Sequence, residues 1–232
     1  MAATRASLLC TFSLACTLGS TAAALPVPPV LPVLAPVPAR ELRVTTGQLE
    51  GQGGAPLGAN EASNHFWVRS PALRAWVGHR PRSSVELELV YLGPTRSQAP
   101  LASGQLRRQI GLELRAQDGC NLLYVMWRIE PVQALMVSLK SNPGQRQHRE
   151  CRDRGYVNLE PEHSLPLAPL RAGERHVLRA SASASELEVW VDGRSHWRGR
   201  LPALVASIDG PVGVRSDNGE FELQLRSAEP VQ

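Results

Sequence analysis

The sequence predicts an all-β protein, a two-sheet antiparallel jelly-roll sandwich. Three observations carry that expectation. Short segments alternate apolar and polar residues with a period of two, clusters of turn-forming residues separate them, and no segment shows a long helical period. Glycine and proline, 19 of each in 232 residues, agree with a chain of many turns.

The strands read one by one. Ser84–Leu92 (SVELELVYL) sets Val85, Leu87 and Leu89 on one face against Glu86, Glu88 and Val90. Arg108–Ala116 (RQIGLELRA) does the same with Ile110, Leu112 and Leu114. Ser185–Gly193 opposes Leu187, Val189 and Val191 to Glu186, Glu188 and Trp190, and Gly219–Ser227 repeats the pattern with Phe221, Leu223 and Leu225. Such alternation marks antiparallel strands with one buried and one wet face. AQDG, SNPG, VDGR and SDNG supply the turns between them.

The N-terminus has a different character. Met1–Ala24 carries one positive charge at Arg5, an apolar core from Ala6 to about Leu18, and small residues at Ala22–Ala24. That is the pattern of a secretory signal peptide cleaved after Ala24, and its apolar run is shorter than the roughly 20 residues that span a bilayer. The expected location is secreted or periplasmic. An alternative uses Ser13–Cys16 (SLAC) as a lipoprotein signal, with a membrane anchor on Cys16. Leu25–Arg40 is a Pro/Val/Leu run without periodicity, expected to be a semi-rigid polyproline II spacer. The domain is then expected over residues 41–228, with 229–232 as a tail.

The formal charge of +4 becomes about +3 once Arg5 is removed with the signal peptide. Its cations are arginines scattered among acids, with Lys140 the only lysine, so the chain has no nucleic-acid footprint and no nucleic-acid partner is expected.

The segment RAGERHVLRASASASELEVWVDGRSHWRGRL, followed by GPVGVRSDNGEFELQLRS, resembles the concanavalin A-like lectin/glucanase domains. The likeness lies in a strand ending in a V-D-G loop, then a glycine-containing strand, then a last amphipathic strand. It extends loosely to VELELVYLGP and RQIGLELRAQDG. The resemblance implies a two-sheet jelly roll with one concave sheet, where lectins and glycosidases of this fold commonly hold carbohydrate.

Beyond the signal segment the cysteines are Cys120 and Cys151, and an exported chain most simply pairs them. Between them, LLYVMWRI is expected to turn through Glu130–Gln133 into ALMVSLK. That register sets Val125 opposite Leu139, Trp127 opposite Val137 and Ile129 opposite Leu135, all facing the core. Tyr124 then faces Lys140, Met126 faces Ser138 and Arg128 faces Met136 on the outer side. Closing the roughly 30-residue loop stabilises the fold by about 3–4 kcal/mol in the chain-entropy picture.

Catalytic patterns are sparse. Retaining glycosidases need two carboxyl groups about 5–5.5 Å apart, and glucanases of this fold place them as E-x-D-x-x-E. ELELVY offers Glu86 and Glu88, but Tyr91 stands where the last glutamate is required. Glu186/Glu188 and Glu220/Glu222 show only strand alternation. A metal reading uses His148 and Cys151 with His163 or His176, but His-x-x-Cys is half a site without a second close pair. SDNG (Ser216–Gly219) lacks the spaced oxygen ligands of a calcium loop, and no nucleophile elbow, P-loop or dinucleotide fingerprint is present. No catalytic residue, metal or cofactor is therefore expected.

The binding candidates lie on the outer face of the hairpin and the loop after it: Tyr124, Arg128, Ser138, Lys140, Arg146, His148 and Tyr156. Aromatic faces stack on sugar C–H surfaces while planar polar groups pair with hydroxyls or acids, so this set suits a polyol or an acidic glycan. A solvated sheet face with a charged loop would carry the same residue types. The expected role is a lectin-like, non-catalytic glycan binder at or outside the cell surface. Two competitors use the same scaffold: a glycosidase-like enzyme resembling 3-keto-disaccharide hydrolase domains, and a structural envelope protein without a small ligand.

Overall fold

A computed structural model describes residues 32–57 and 62–229. The expected signal peptide and Cys16 lie outside the described residues. Two antiparallel sheets face each other, as the alternation requires. The eight-stranded sheet runs β1 (Ala35–Pro36), β15 (Gly219–Ser227), β5 (Ser84–Pro94), β11 (Arg175–Ala182), β12 (Glu186–Val191), β13 (Arg194–Arg200) and β10 (His163–Ser164), with β3 (His65–Val68) also paired to β15. The seven-stranded sheet runs β2 (Leu42–Thr46), β4 (Ala72–Val77), β14 (Gly213–Asp217), β6 (Arg108–Leu114), β7 (Leu122–Glu130), β8 (Ala134–Lys140) and β9 (Tyr156–Asn158). This is the expected jelly-roll sandwich.

Each alternating strand buries the face its sequence marks. Val85, Leu87 and Leu89 of β5, Leu187, Val189 and Val191 of β12, and Phe221, Leu223 and Leu225 of β15 pack between the sheets. They meet Ile110, Leu112 and Leu114 of β6 and Leu123, Val125 and Trp127 of β7. Fully burying one such side chain is worth roughly 1.5–3 kcal/mol, so this layer is the main favourable term in the fold.

The hairpin β7–β8 forms with Trp127 inward, but its register differs from expectation by two residues. Tyr124 pairs with Ser138, Met126 with Met136, Trp127 with Leu135 and Lys140 with Leu122. The strands reach further toward the turn, which tightens to Pro131–Gln133. A slip of two keeps every side chain on its own face, so the alternation cannot detect it.

Cys120 and Cys151 are joined, with Cα atoms 5.9 Å apart. The bond ties the start of β7 to the short helix α1 (His148–Cys151), which opens with a Gln147/Glu150 capping box. The described part of the proline-rich segment lies against the domain. Ala35–Pro36 pairs with Arg226–Ser227, Val37 N–H donates to Leu225 O at 2.9 Å, and Arg179 Nη2 reaches Pro32 O at 2.8 Å. Val37 and Ala39 are buried in the core.

Candidate functional site

The outer face of the seven-stranded sheet carries the site. Alternation within each strand and pairing between strands arrange its side chains in two rows. One row reads Arg74, Arg215, Gly111, Met126, Met136 from β4 to β8. The next reads Trp76, Gly213, Glu113, Tyr124, Ser138, Asn158 from β4 to β9. The two glycines are steric necessities. A Cβ on Gly213 would lie 2.6 Å from Trp76 Cδ1, and one on Gly111 would lie 2.9 Å from Met126 Sδ. Their absence of side chains lets Trp76 and Met126 lean across the sheet.

Above these rows opens a cleft of about 570 Å³. Arg74, Tyr124, Met126, Met136, Ser138, Arg215 and Asp217 form its floor. One wall is the loop through Pro100–Ser103, Gln105 and Arg107, and the other comprises His148, Arg152, Asp153, Tyr156 and Asn158. The first wall is pinned by Asn218, which sits at φ 57° in the β14–β15 turn. Its Nδ2 donates to Ala99 O (2.9 Å) and Arg107 O (2.8 Å), and its Oδ1 accepts from Ala99 N–H at 2.8 Å. The SDNG segment is thus a turn, and it also anchors one side of the cleft. The second wall is held by the disulfide and by Lys140, whose Nζ donates to Arg152 O (2.7 Å) and Gly119 O (3.3 Å).

The floor is a ladder of cations and rings. Arg215 lies over the Tyr124 ring (5.0 Å), Tyr124 stacks on Tyr156 (5.8 Å), and Lys140 approaches the other ring of that pair, Tyr156, at 5.0 Å. Arg215 is neutralised locally: its Nε and Nη2 meet Asp217 at 2.9 and 3.3 Å, and Gln109 Nε2 donates to the same carboxylate at 2.6 Å. Arg74 is not. Its guanidinium makes no hydrogen bond among the described residues, and its nearest carboxylate is Glu113 at 3.9 Å.

Glu113 is fully buried and accepts from Trp76 Nε1 through one oxygen, while Oε1 has no hydrogen-bond partner among the described residues. Burial pushes its carboxyl above the usual range, against the pull of Arg74 and the Trp76 N–H. The hydroxyl of Tyr124, its cross-strand neighbour, is likewise buried without a partner. Burial, then repulsion from Arg74, Lys140 and Arg215, holds His148 down to about 4. Burial, then Arg74 and Arg215, brings Lys140 down to about 8.

Of the residues anticipated from sequence, Tyr124, Ser138, His148 and Tyr156 come together in this cleft. Two of the expected surface groups require correction. Tyr124 (1% exposed) and Lys140 (0%) are sealed rather than open. The cause is the stapled segment after β8, which folds back so that Tyr156 covers Tyr124 and the Arg152 carbonyl caps Lys140. Arg128 stands outside the cleft beside the hairpin turn, with its Nε on Val132 O at 2.6 Å, and Arg146 is exposed on the loop. Sequence reasoning missed Arg74, Trp76, Gln109, Glu113, Arg215 and Asp217. Their alternation in ALRAWV, RQIGLEL and GVRSD was visible, but the order in which those strands lie side by side was not.

The carboxylates considered as catalytic pairs sit elsewhere, on the outer face of the eight-stranded sheet. Glu86 is 3.8 Å from Arg179, Glu88 pairs with Arg175, and Glu222 meets His65 Nε2 at 2.7 Å. Cys151 is occupied by the disulfide, which removes it from the His-x-x-Cys half-site.

No protein-family model matches the chain, and no curated protein matches it. Solved structures do. A carbohydrate-binding module, CBM66 from Bacillus subtilis, superposes with a TM-score of 0.51 at 11% identity, over 81% of this chain and 96% of that one. The potassium-bound carbohydrate recognition domain of Emp46p gives a TM-score of 0.48 at 13% identity, over 83% and 90%. SCLam, a non-specific endo-β-1,3(4)-glucanase of family GH16, gives 0.46 at 10% identity, over 83% and 86%. The fold is that of the concanavalin A-like lectin/glucanase jelly rolls. A fold does not fix a function, so the activity must be argued from the cleft.

Proposed function

We propose that this protein is an exported, non-catalytic glycan-binding jelly roll whose ligand lies in the cleft over β4, β14, β6, β7 and β8. The observation that carries the reading is the pairing of stacking surfaces with unfilled polar groups on one floor. Tyr156 (39% exposed), Met126 and Met136 offer faces for sugar C–H groups, and Ser138 and Asn158 offer hydroxyl partners.

The two carboxyl groups beneath the cleft do not form a hydrolytic pair. Asp217 pairs with Gln109, four positions before Glu113 on β6. At roughly 3.4 Å per residue their backbones are ~14 Å apart along the strand, whereas paired glycosidase carboxyls lie about 5–9.5 Å apart. Asp217 is also held by Arg215 and Gln109.

Export is part of the proposal: the disulfide fits an oxidising compartment, and no helix among the described residues is long and apolar enough to cross a membrane. Mass analysis of the mature chain separates cleavage after Ala24 from lipid on Cys16. The functional test is a glycan array with wild type and Tyr156→Ala. Binding by the wild type that is lost in the variant, at unchanged melting temperature, supports the reading. Glycan cleavage abolished by Glu113→Gln would replace it with an enzyme, and an empty array would refute it.

A further inference from the structure

The floor of the cleft carries two arginines at directly opposed backbone positions. Arg74 of β4 and Arg215 of β14 are cross-strand partners on the same face. Like charges in that relation destabilise a sheet, and only Arg215 has a carboxylate in hydrogen-bond contact. Arg74 has the more distant Glu113 oxygen, itself without a hydrogen bond.

The surroundings do not cancel the charge. Four arginines line the cleft (Arg74, Arg107, Arg152 and Arg215) against two carboxylates, Asp153 and Asp217. Arg215 engages Asp217 through Nε and Nη2, which leaves Nη1 without a hydrogen bond among the described residues. Planar guanidinium groups match carboxylate and sulfate oxygens in pairs, and their bonds to anions are the stronger, charge-assisted kind. Burial chiefly lowers the proton affinities of His148 and Lys140, and the charges of Arg74 and Arg215 add to that lowering.

We infer that the glycan this cleft takes is acidic, with a carboxylate or sulfate of the sugar bridging Arg74 and Arg215 while its ring rests on Tyr156 and the methionines. The inference rests on the glycan-binding reading and adds the chemical class of the ligand. The anion relieves the repulsion between the two arginines, so the cost of placing them together in the empty protein is recovered on binding.

The test is calorimetric titration of the full chain with three hexasaccharides: a polygalacturonate, its carboxyl-reduced galactan and a sulfated galactan. The acidic hexamers should bind at least about tenfold tighter than the neutral one, as expected for a charge-assisted contact, and the advantage should shrink with added salt. Comparing the carboxylate and sulfate arms identifies the anion. Arg74→Gln should remove the affinity advantage of the acidic hexamers over the neutral one, whereas Arg74→Lys should restore part of it. Thermal melts check that both variants fold. Equal affinity for the acidic and carboxyl-reduced hexamers would overturn the inference but leave the glycan reading standing. Absence of binding to all three would refute both.

Discussion

Lys140 is an unusual place for a lysine. It has no exposed surface, faces two backbone carbonyls, and lies in the field of Arg74 and Arg215. Burial and those guanidiniums lower it from 10.5 to about 8, which at ~1.4 kcal/mol per pH unit amounts to roughly 3 kcal/mol. The unfolded chain binds this proton more tightly than the folded one. The penalty is therefore fully present below pH 8, shrinks as pH rises, and vanishes above about 10.5, where both states are neutral. A neutral amine keeps two N–H donors, enough for Gly119 O and Arg152 O. Lys140→Met removes the titration but orphans both carbonyls, at roughly 1–3 kcal/mol each. At pH 7 the two effects largely cancel, so wild type and variant should unfold at similar urea concentrations. By pH 10.5 the wild type should lead by roughly the full orphaning cost. Subtracting the two unfolding curves at each pH cancels the other titrating groups. A difference flat to within about 0.5 kcal/mol from pH 7 to 10.5 would refute the buried-charge account, since this titration alone predicts ~3 kcal/mol.

Three further outcomes are expected. Replacing Cys120 and Cys151 together by serine opens a loop with a sequence separation of 31, and urea unfolding should show a loss of ~3.7 kcal/mol by the chain-entropy relation. His148 should titrate near 4 by NMR, and Arg74→Gln should move that midpoint upward because a repelling cation is gone. Gly111→Ala should destabilise the fold by about 1–3 kcal/mol, as overpacking does, because its Cβ would meet Val125 O and Met126; thermal melting measures it.

The architecture was readable because strand alternation is a local code. Val85, Leu87, Leu89 and Phe221, Leu223, Leu225 announce their buried faces without reference to any neighbour. The site was readable only in part because it is a lateral assembly. Tyr124, Ser138 and Tyr156 share one hairpin and the segment stapled to it, so sequence proximity brought them into view. Arg74 and Arg215 are 141 positions apart and meet only because β14 inserts between β4 and β6. The burial of Tyr124 and Lys140 was hidden for a related reason. Period-two patterning assigns a side chain to a face but says nothing of what later folds over that face.

The short strand Ala35–Pro36 has a consequence for the molecule's behaviour in crowded solution. It covers the end of β15 beyond the part paired with β3, and a proline there has no amide hydrogen to offer a passing chain. It works as a selvedge that stops the fabric from unravelling or stitching itself to a neighbour. A protease that trimmed the protein past Val37 would strip that border and open a gap in the packing beneath it, so the trimmed form should self-associate where the intact one stays dispersed.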